Sequence, residues 1–353
     1  MFHIGIDLGS MKSQICIRAQ DGKIQWEGMV PTEDIPRRLK KYPMSRVILE
    51  TCAEAFKIAD LLREDNHEVR VVQSTLVRQL GVGAHGIKTD RRDAEALSIV
   101  SCRIDLPSVH IRSVEARLLK SRLGMRKGLV EARTKLINTV RGYLRTELKR
   151  VGSGSSKCFP QRVRKVLLED PCGLSDFVEH TLLAIEAMTE QIQQLDKSLE
   201  TLAKANPICQ RLQTVPGVGV MTSLAFIYAV DDITRFPNAH QLESYLGLTP
   251  GERSSSQRQR RLGITKAGPA CVRYLLSQAA WSVWSRDLRQ RRQQKLSTPI
   301  DPLIVWAEAM VKSRFVCKIE KHLYHSYAAF CSVSSFLIRV ISKYRRFAHL
   351  AAT

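Results

Sequence analysis

The spacing of apolar and polar residues changes character along the chain and divides it into three stretches. Up to about residue 105, short β-rich runs alternate with helical spacing. HIGIDLGS, SQICIRAQ and IQWEGMV, starting at His3, Ser13 and Ile24, are split by turn residues such as Asp21-Gly22 and predict a three-strand meander. RVILE (46–50) reads as a buried strand, AEAFKIADLLRE (53–64) as a helix and EVRVVQ (68–73) as another strand. TDRRDAEALSIVSC (89–102) then opens with Thr89 as a predicted N-cap of an amphipathic helix.

From about 112 to 150 the spacing is purely helical, with apolar residues at three and four and Arg or Lys filling the gaps. GSGSSK at 152–157 interrupts it as a linker would. A second helical stretch, acidic and Gln-rich, covers 177–205. Two long helices joined by a break predict an antiparallel coiled-coil hairpin, and coiled coils also serve dimerisation. A third region begins at Asn206-Pro207 and is mainly helical, with Trp281 and Trp284 at core-like spacing. The expected architecture is α/β plus α: a mixed-sheet domain over 1–108, a helical coiled-coil region over 109–205, and a helical C-terminal domain over 206–353.

Four acids stand at informative places in this pattern. Asp7 and Glu50 lie at the ends of apolar runs, and Asp90 and Asp93 are three apart at the start of a helix, hence on one face. Carboxylates gathered in this way are what a two-metal site for phosphodiester chemistry requires, and Mg2+ or Mn2+ prefers such oxygen ligands. Taken singly, Asp90 could be a helix cap and Asp93 a surface partner of Arg92 or Lys88. Lys88, Arg91 and Arg92 are predicted phosphate contacts. Gly5 and Gly9 flank Asp7 and would let a phosphate backbone approach. GIDLGS also resembles the first phosphate loop of the actin and sugar-kinase fold, but that fold needs a second Asp-Gly loop and an adenosine motif, and the chain has neither.

Two C-terminal segments are candidates for contact with phosphates. Pro216-Gly217-Val218-Gly219 has the look of a helix-hairpin-helix turn, with Gly217 and Gly219 presenting backbone N–H groups. GERSSSQRQRRLGITKAG places Ser254, Ser255 and Ser256 among Arg253, Arg258, Arg260, Arg261 and Lys266. That segment reads either as a flexible nucleic-acid-binding loop or as a serine nucleophile whose charge the arginines neutralise.

Charge strengthens the nucleic-acid reading: 55 Lys and Arg oppose 34 Asp and Glu, a net +21. The nine cysteines form no CxxC pair, so zinc is not expected and the thiols read as buried residues of a reducing cytoplasm. No apolar run reaches the roughly 18 residues needed to span a bilayer, and the N-terminus enters a strand pattern without a signal peptide. A cytoplasmic protein is expected.

With GIDLGS, VILE, KTDRRDAEALS, VPGVGVMTSLAFI, YLGLTP and SSSQ…RLGITKAG in this order, the chain resembles the DEDD-type insertion-sequence transposases, the bridge-RNA-guided recombinases related to the pilin-gene invertase. The resemblance covers nearly the whole chain. It implies a RuvC-like, ribonuclease-H-like N-terminal domain with Asp7, Glu50, Asp90 and Asp93 as its acidic, metal-binding tetrad. It also implies a coiled coil used in assembly and a C-terminal transposase domain whose serine forms a covalent phosphoserine link with DNA. Ser254 aligns with that nucleophile and Ser255 is the reserve; Ser256 and Pro269 depart from the family's usual Gly and Asn. Implied partners are donor and target double-stranded DNA, a structured non-coding guide (bridge) RNA, and further copies of the chain in a dimer or tetramer with composite active sites. Two other readings stay open. One is a site-specific DNA invertase or Holliday-junction-type endonuclease using the tetrad alone. The other is a catalytically inactive nucleic-acid-binding protein.

Overall fold

The computed structural model describes residues 1–79, 89–168, 176–253 and 261–295. The chain divides into two compact units, Met1–Arg112 and Ser113–Thr353. In the first, β1 (His3–Asp7), β2 (Lys12–Arg18) and β3 (Ile24–Pro31) form the expected meander. The short helix α1 (Ile35–Leu39) leads into β4 (Arg46–Glu50), followed by α2 (Ala55–Glu64), β5 (Glu68–Val72), α3 (Ser74–Gln79) and α4 (Asp90–Arg103). The sheet order is β3-β2-β1-β4-β5; β1 is antiparallel to β2 and parallel to β4. This five-stranded mixed sheet agrees with the ribonuclease-H-like expectation.

Period-two alternation assigns each strand residue to a face. Ile4, Ile6, Ile15, Ile17, Val47 and Leu49 point to one side, where Ile35, Leu39, Ile58 and Leu62 of α1 and α2 bury them. The opposite side carries Ile48 and Val72, covered by Leu97 and Val100 of α4. The chain after α4 still belongs to this unit: the Val109 N–H donates to the Val71 carbonyl (2.7 Å), and Ile111 joins the first core. The compact unit therefore runs a few residues past 108, the boundary expected from sequence.

The second unit opens with α5 (Val114–Thr146), capped by the Ser113 hydroxyl, which accepts from the Ala116 N–H. The break at 152–157 is irregular chain and a 3-10 turn, but a helix absent from the sequence reading, α6 (Phe159–Leu168), follows it. Then comes α7 (Asp176–Ala205). α5 and α7 run antiparallel: Leu123 clusters with Leu199 near one end, and Val140 and Leu144 cluster with Val178 and Leu182 near the other. The buried residues of α7 recur mostly at three and four, as in a heptad seam. Midway, the seam turns polar: Arg126 pairs with Asp196, and Arg133 Nη1 donates to Thr189 Oγ1 (3.3 Å). A polar layer between apolar ones penalises any other register.

Arg164 of α6 grips two carboxylates of α7, Glu179 (2.7 Å) and Glu186 (2.6 Å). The hydrogen bond from Arg164 holds Glu179 below the usual carboxylate range. A folded value below the unfolded one stabilises above the unfolded pKa of about 4.3, and that contribution is lost as the pH falls through the folded value. Arg164→Met is therefore expected to lower the melting temperature at pH 7 and to lower it less at pH 3. Thermal melts at the two pH values check this, and an equal loss at both would assign the effect to lost packing.

The remaining elements are α8 (Pro207–Gln213), α9 (Val220–Val230), α10 (Ala239–Tyr245), β6 (Pro250–Glu252), β7 (Arg261–Ile264) and α11 (Ala270–Gln294). α9 is buried on nearly every side, which makes it the central helix of this unit. Its Leu224, Phe226 and Val230 cluster with Leu242, Leu246, Val272, Leu276 and Trp284. Among the described residues no helix is long and apolar enough to cross a membrane.

Candidate active site

Asp7 is the last residue of β1 and Glu50 the last of β4. The strands pair in parallel with Ile6 beside Leu49, so the two acids end neighbouring strands at the same level, where strand spacing is about 4.8 Å. Ile6 and Leu49 belong to the face buried by α1 and α2, so alternation turns Asp7 and Glu50 to the α4 side. α4 crosses that side antiparallel to β1. His3 Nδ1 lies 2.9 Å from Ser101 Oγ near the end of the helix. Two residues along the strand, a Cβ on Gly5 would overlap the Ala94 carbonyl oxygen and the Ser98 amide and stand 2.8 Å from Leu97 Cβ. One more step of two reaches Asp7, level with the first turn of α4 and its Asp90 and Asp93.

Several contacts fix that first turn. Thr89 Oγ1 accepts from the Arg92 N–H (3.4 Å), as the sequence predicts for an N-cap. Thr89 rather than Asp90 is thus the cap, and Asp90 and Asp93 lie in the first turn, where negative charge suits the positive end of the helix dipole. Arg18 of β2 reaches Ser98 Oγ (3.3 Å) and Glu95 (3.4 Å). Arg91, expected to meet phosphate, is held by Glu27 of β3 with Nε 3.2 Å from Oε2, so in this structure it ties the acidic turn to the sheet. Arg92 is exposed, while Lys88 lies outside the described residues.

The loop after Asp7 is braced from below. Thr32 Oγ1 donates to the Gly9 carbonyl (2.7 Å) and lies 2.8 Å from Ser13 Oγ, and Gly9 has no room for a Cβ beside the Lys12 carbonyl. Gln14, which sequence reasoning passed over, sits opposite Asp7 on β2 and is nearly buried. Only the strand register could reveal it.

By donor chemistry, Asp7, Glu50, Asp90 and Asp93 would offer a hard divalent cation oxygen ligands from three elements. Among the described residues, however, no three His, Cys, Asp or Glu side chains are grouped closely enough to hold an ion. Asp7, Glu50 and Asp93 each already engage a neighbour.

In the second unit, Ser254, Ser255, Arg258 and Arg260 lie outside the described residues, between β6 and β7. Close backbone packing surrounds the outer ends of β6 and β7. Gly247 (φ +69°) packs on Ala267 and Gly268 (φ +69°) on Tyr245, where a side chain would collide with backbone. Arg273, unremarked in the sequence, donates to the Leu246 (3.1 Å), Gly268 (3.0 Å) and Ala267 carbonyls. Arg253 and Lys266 are exposed on the two sides of the segment, and Arg261 begins β7.

The turn before α9 contains both glycines singled out above. Gly217 (φ +85°) faces α11, and a Cβ there would lie 2.5 Å from the Ala279 carbonyl oxygen and 2.9 Å from Val283 Cγ2. Close helix packing therefore accounts for this glycine. Gly219, the N-cap of α9, stands open, with nothing within 4 Å of a Cβ.

Two family models match the chain. The family described as transposase IS116/IS110/IS902 matches residues 209–295, and the DEDD transposase model of IS110 type matches residues 4–147. The chain belongs to the IS110/IS116 transposase family. The transposase is 27% identical over 322 residues to the transposase of insertion sequence element IS1111A from Coxiella burnetii, covering 88% of this chain and 83% of the relative. A probable family 20 transposase of Pseudomonas aeruginosa is 26% identical, covering 82% and 90%. The transposase of IS1328 from Yersinia enterocolitica is 24% identical, covering 78% and 82%. The matched segments contain Asp7, Glu50, Asp90 and Asp93 in one unit and the Ser254–Ser255 segment in the other.

Proposed function

We propose that this insertion-sequence transposase cuts and rejoins DNA with its acidic sheet edge and a serine of the 254–255 pair, directed by a structured guide RNA. The reading is supported by the placement of Asp7 and Glu50 at the ends of neighbouring strands, on the side of the sheet that α4 covers. Carboxylates in this arrangement would hold Mg2+ or Mn2+, and a bound divalent ion supplies positive charge to the scissile phosphate and the departing oxygen. The serine Oγ–phosphorus bond forms as the phosphorus–sugar oxygen bond breaks. The serine gives up its proton and the sugar oxygen takes one. Attack by a sugar hydroxyl on the phosphoserine then reverses these changes, so strands are rejoined without an external energy source. Arg253 and Lys266, exposed beside the segment, suit the phosphate charge. A net charge of +21 suits two nucleic-acid partners, with base pairing supplying specificity and the protein gripping backbone.

The test is trapping on end-labelled element DNA with Mg2+ and the guide RNA, followed by denaturing electrophoresis. A denaturant-stable adduct is expected from the wild type and none from the Ser254→Ala, Ser255→Ala double variant. Strand cutting that persists in the double variant without an adduct would favour the water-using endonuclease reading. An adduct that survives in it would place the nucleophile elsewhere.

A further inference from the structure

The two tryptophans of α11 look equivalent in sequence, but the structure separates them. Trp284 is 6% exposed and belongs to the core around α9, whereas Trp281 is 44% exposed and Tyr274 is 62% exposed. At 100° per residue, Tyr274, Trp281, Ser285 and Arg292 fall within about 40° of one another on the outer face of the helix, with Gln278 and Arg289 just beside them. The two rings are roughly 10 Å apart along the axis. Arg289 Nε donates to the Ser285 carbonyl (3.1 Å), which draws its guanidinium back towards the aromatic end.

Charge on this helix is one-sided. The one acid of α11, Asp287, is 2% exposed and paired with Arg291, so the helix itself presents no carboxylate beside Arg289 and Arg292. Exposed rings in line with guanidinium groups form a platform for stacked bases beside a track for phosphates. A duplex hides its base faces except at its ends, so a ring face gains little from intact DNA.

From this we infer that the outer face of α11 binds an unpaired DNA strand, stacking bases on Tyr274 and Trp281 while Arg289 and Arg292 meet the adjoining phosphates. The inference rests on the proposed DNA-cutting function, since opening and exchanging strands is what exposes unpaired bases.

The experiment measures binding of the full-length protein, without divalent metal and at one fixed salt concentration, to a labelled single-stranded DNA, its duplex and an RNA of the same sequence. Trp281→Ala and Tyr274→Ala are each expected to weaken single-stranded DNA binding about tenfold, the effect of removing one stacking ring, with duplex binding unchanged. Trp281→Phe should restore most of the loss. The inference is overturned if Trp281→Ala weakens duplex and single strand alike, if it affects only RNA, or if it changes the oligomeric state and leaves DNA affinity intact. A wild type that binds no DNA would remove the proposed function as well. Duplex binding combined with an indifferent Trp281 would remove this inference alone.

Discussion

Asp7→Asn is expected to slow strand cutting by two to three orders of magnitude or more while leaving the fold intact. The substitution keeps the size and planarity of the side chain and removes one negative charge at the end of β1. Charge stabilisation of a scissile phosphate by bound metal is worth several kcal/mol, and each 1.36 kcal/mol is tenfold in rate. Asp7 is only partly buried, and its backbone pairing with Gln14 does not involve the side chain, so the melting temperature should move little. Single-turnover cutting beside a thermal melt checks both halves. A variant that cuts at the wild-type rate would remove Asp7 from the site, and one that fails to fold would make it a structural residue.

Gly5→Val should have the largest effect on stability. The close contact of α4 with β1 leaves no room for even a methyl group: the Ala94 carbonyl oxygen and the Ser98 amide occupy the Cβ position. Both obstacles are backbone, so no rotamer change relieves them and α4 must lift from the sheet. Overpacking of this kind costs about 3 kcal/mol or more, which in a unit of this size lowers the melting temperature by roughly 10 °C or more. Lifting α4 also carries Asp90 and Asp93 away from Asp7, so cutting should fail even below the melting point. Circular dichroism melts of the full chain read the first effect. A valine variant as stable as the wild type would contradict the close contact that brings the acids to one level.

The sheet and its acidic edge were legible in the sequence because period-two alternation fixes which residues share a face. The apolar runs around Asp7 and Glu50 located two strand ends, and Thr89 located the start of α4. Parallel pairing of β1 with β4 then follows from the connection through α1, a helix too short to leave a periodic signal. α6 was hidden for a similar reason: it has ten residues, with Pro160 in its first turn, next to a Gly/Ser segment. The partners of Arg91 and the setting of Gln14 depend on long-range register, which no local pattern encodes. The tight packing of Gly217 against α11 was likewise hidden, since a glycine beside a turn does not say which element will approach it. Trp281 and Trp284 share helical spacing and neighbours, and only the position of α9 decides which one is buried.

Asp7, Glu50, Asp90 and Asp93 are proposed to act together as a divalent-cation site. Mn2+ binding followed by electron paramagnetic resonance tests it most directly, because it requires neither DNA nor catalysis. The wild type is predicted to take up the ion, and the Asp7→Asn, Glu50→Gln double variant, with its fold confirmed, is predicted to lose that uptake. Equal uptake by the two proteins would contradict it.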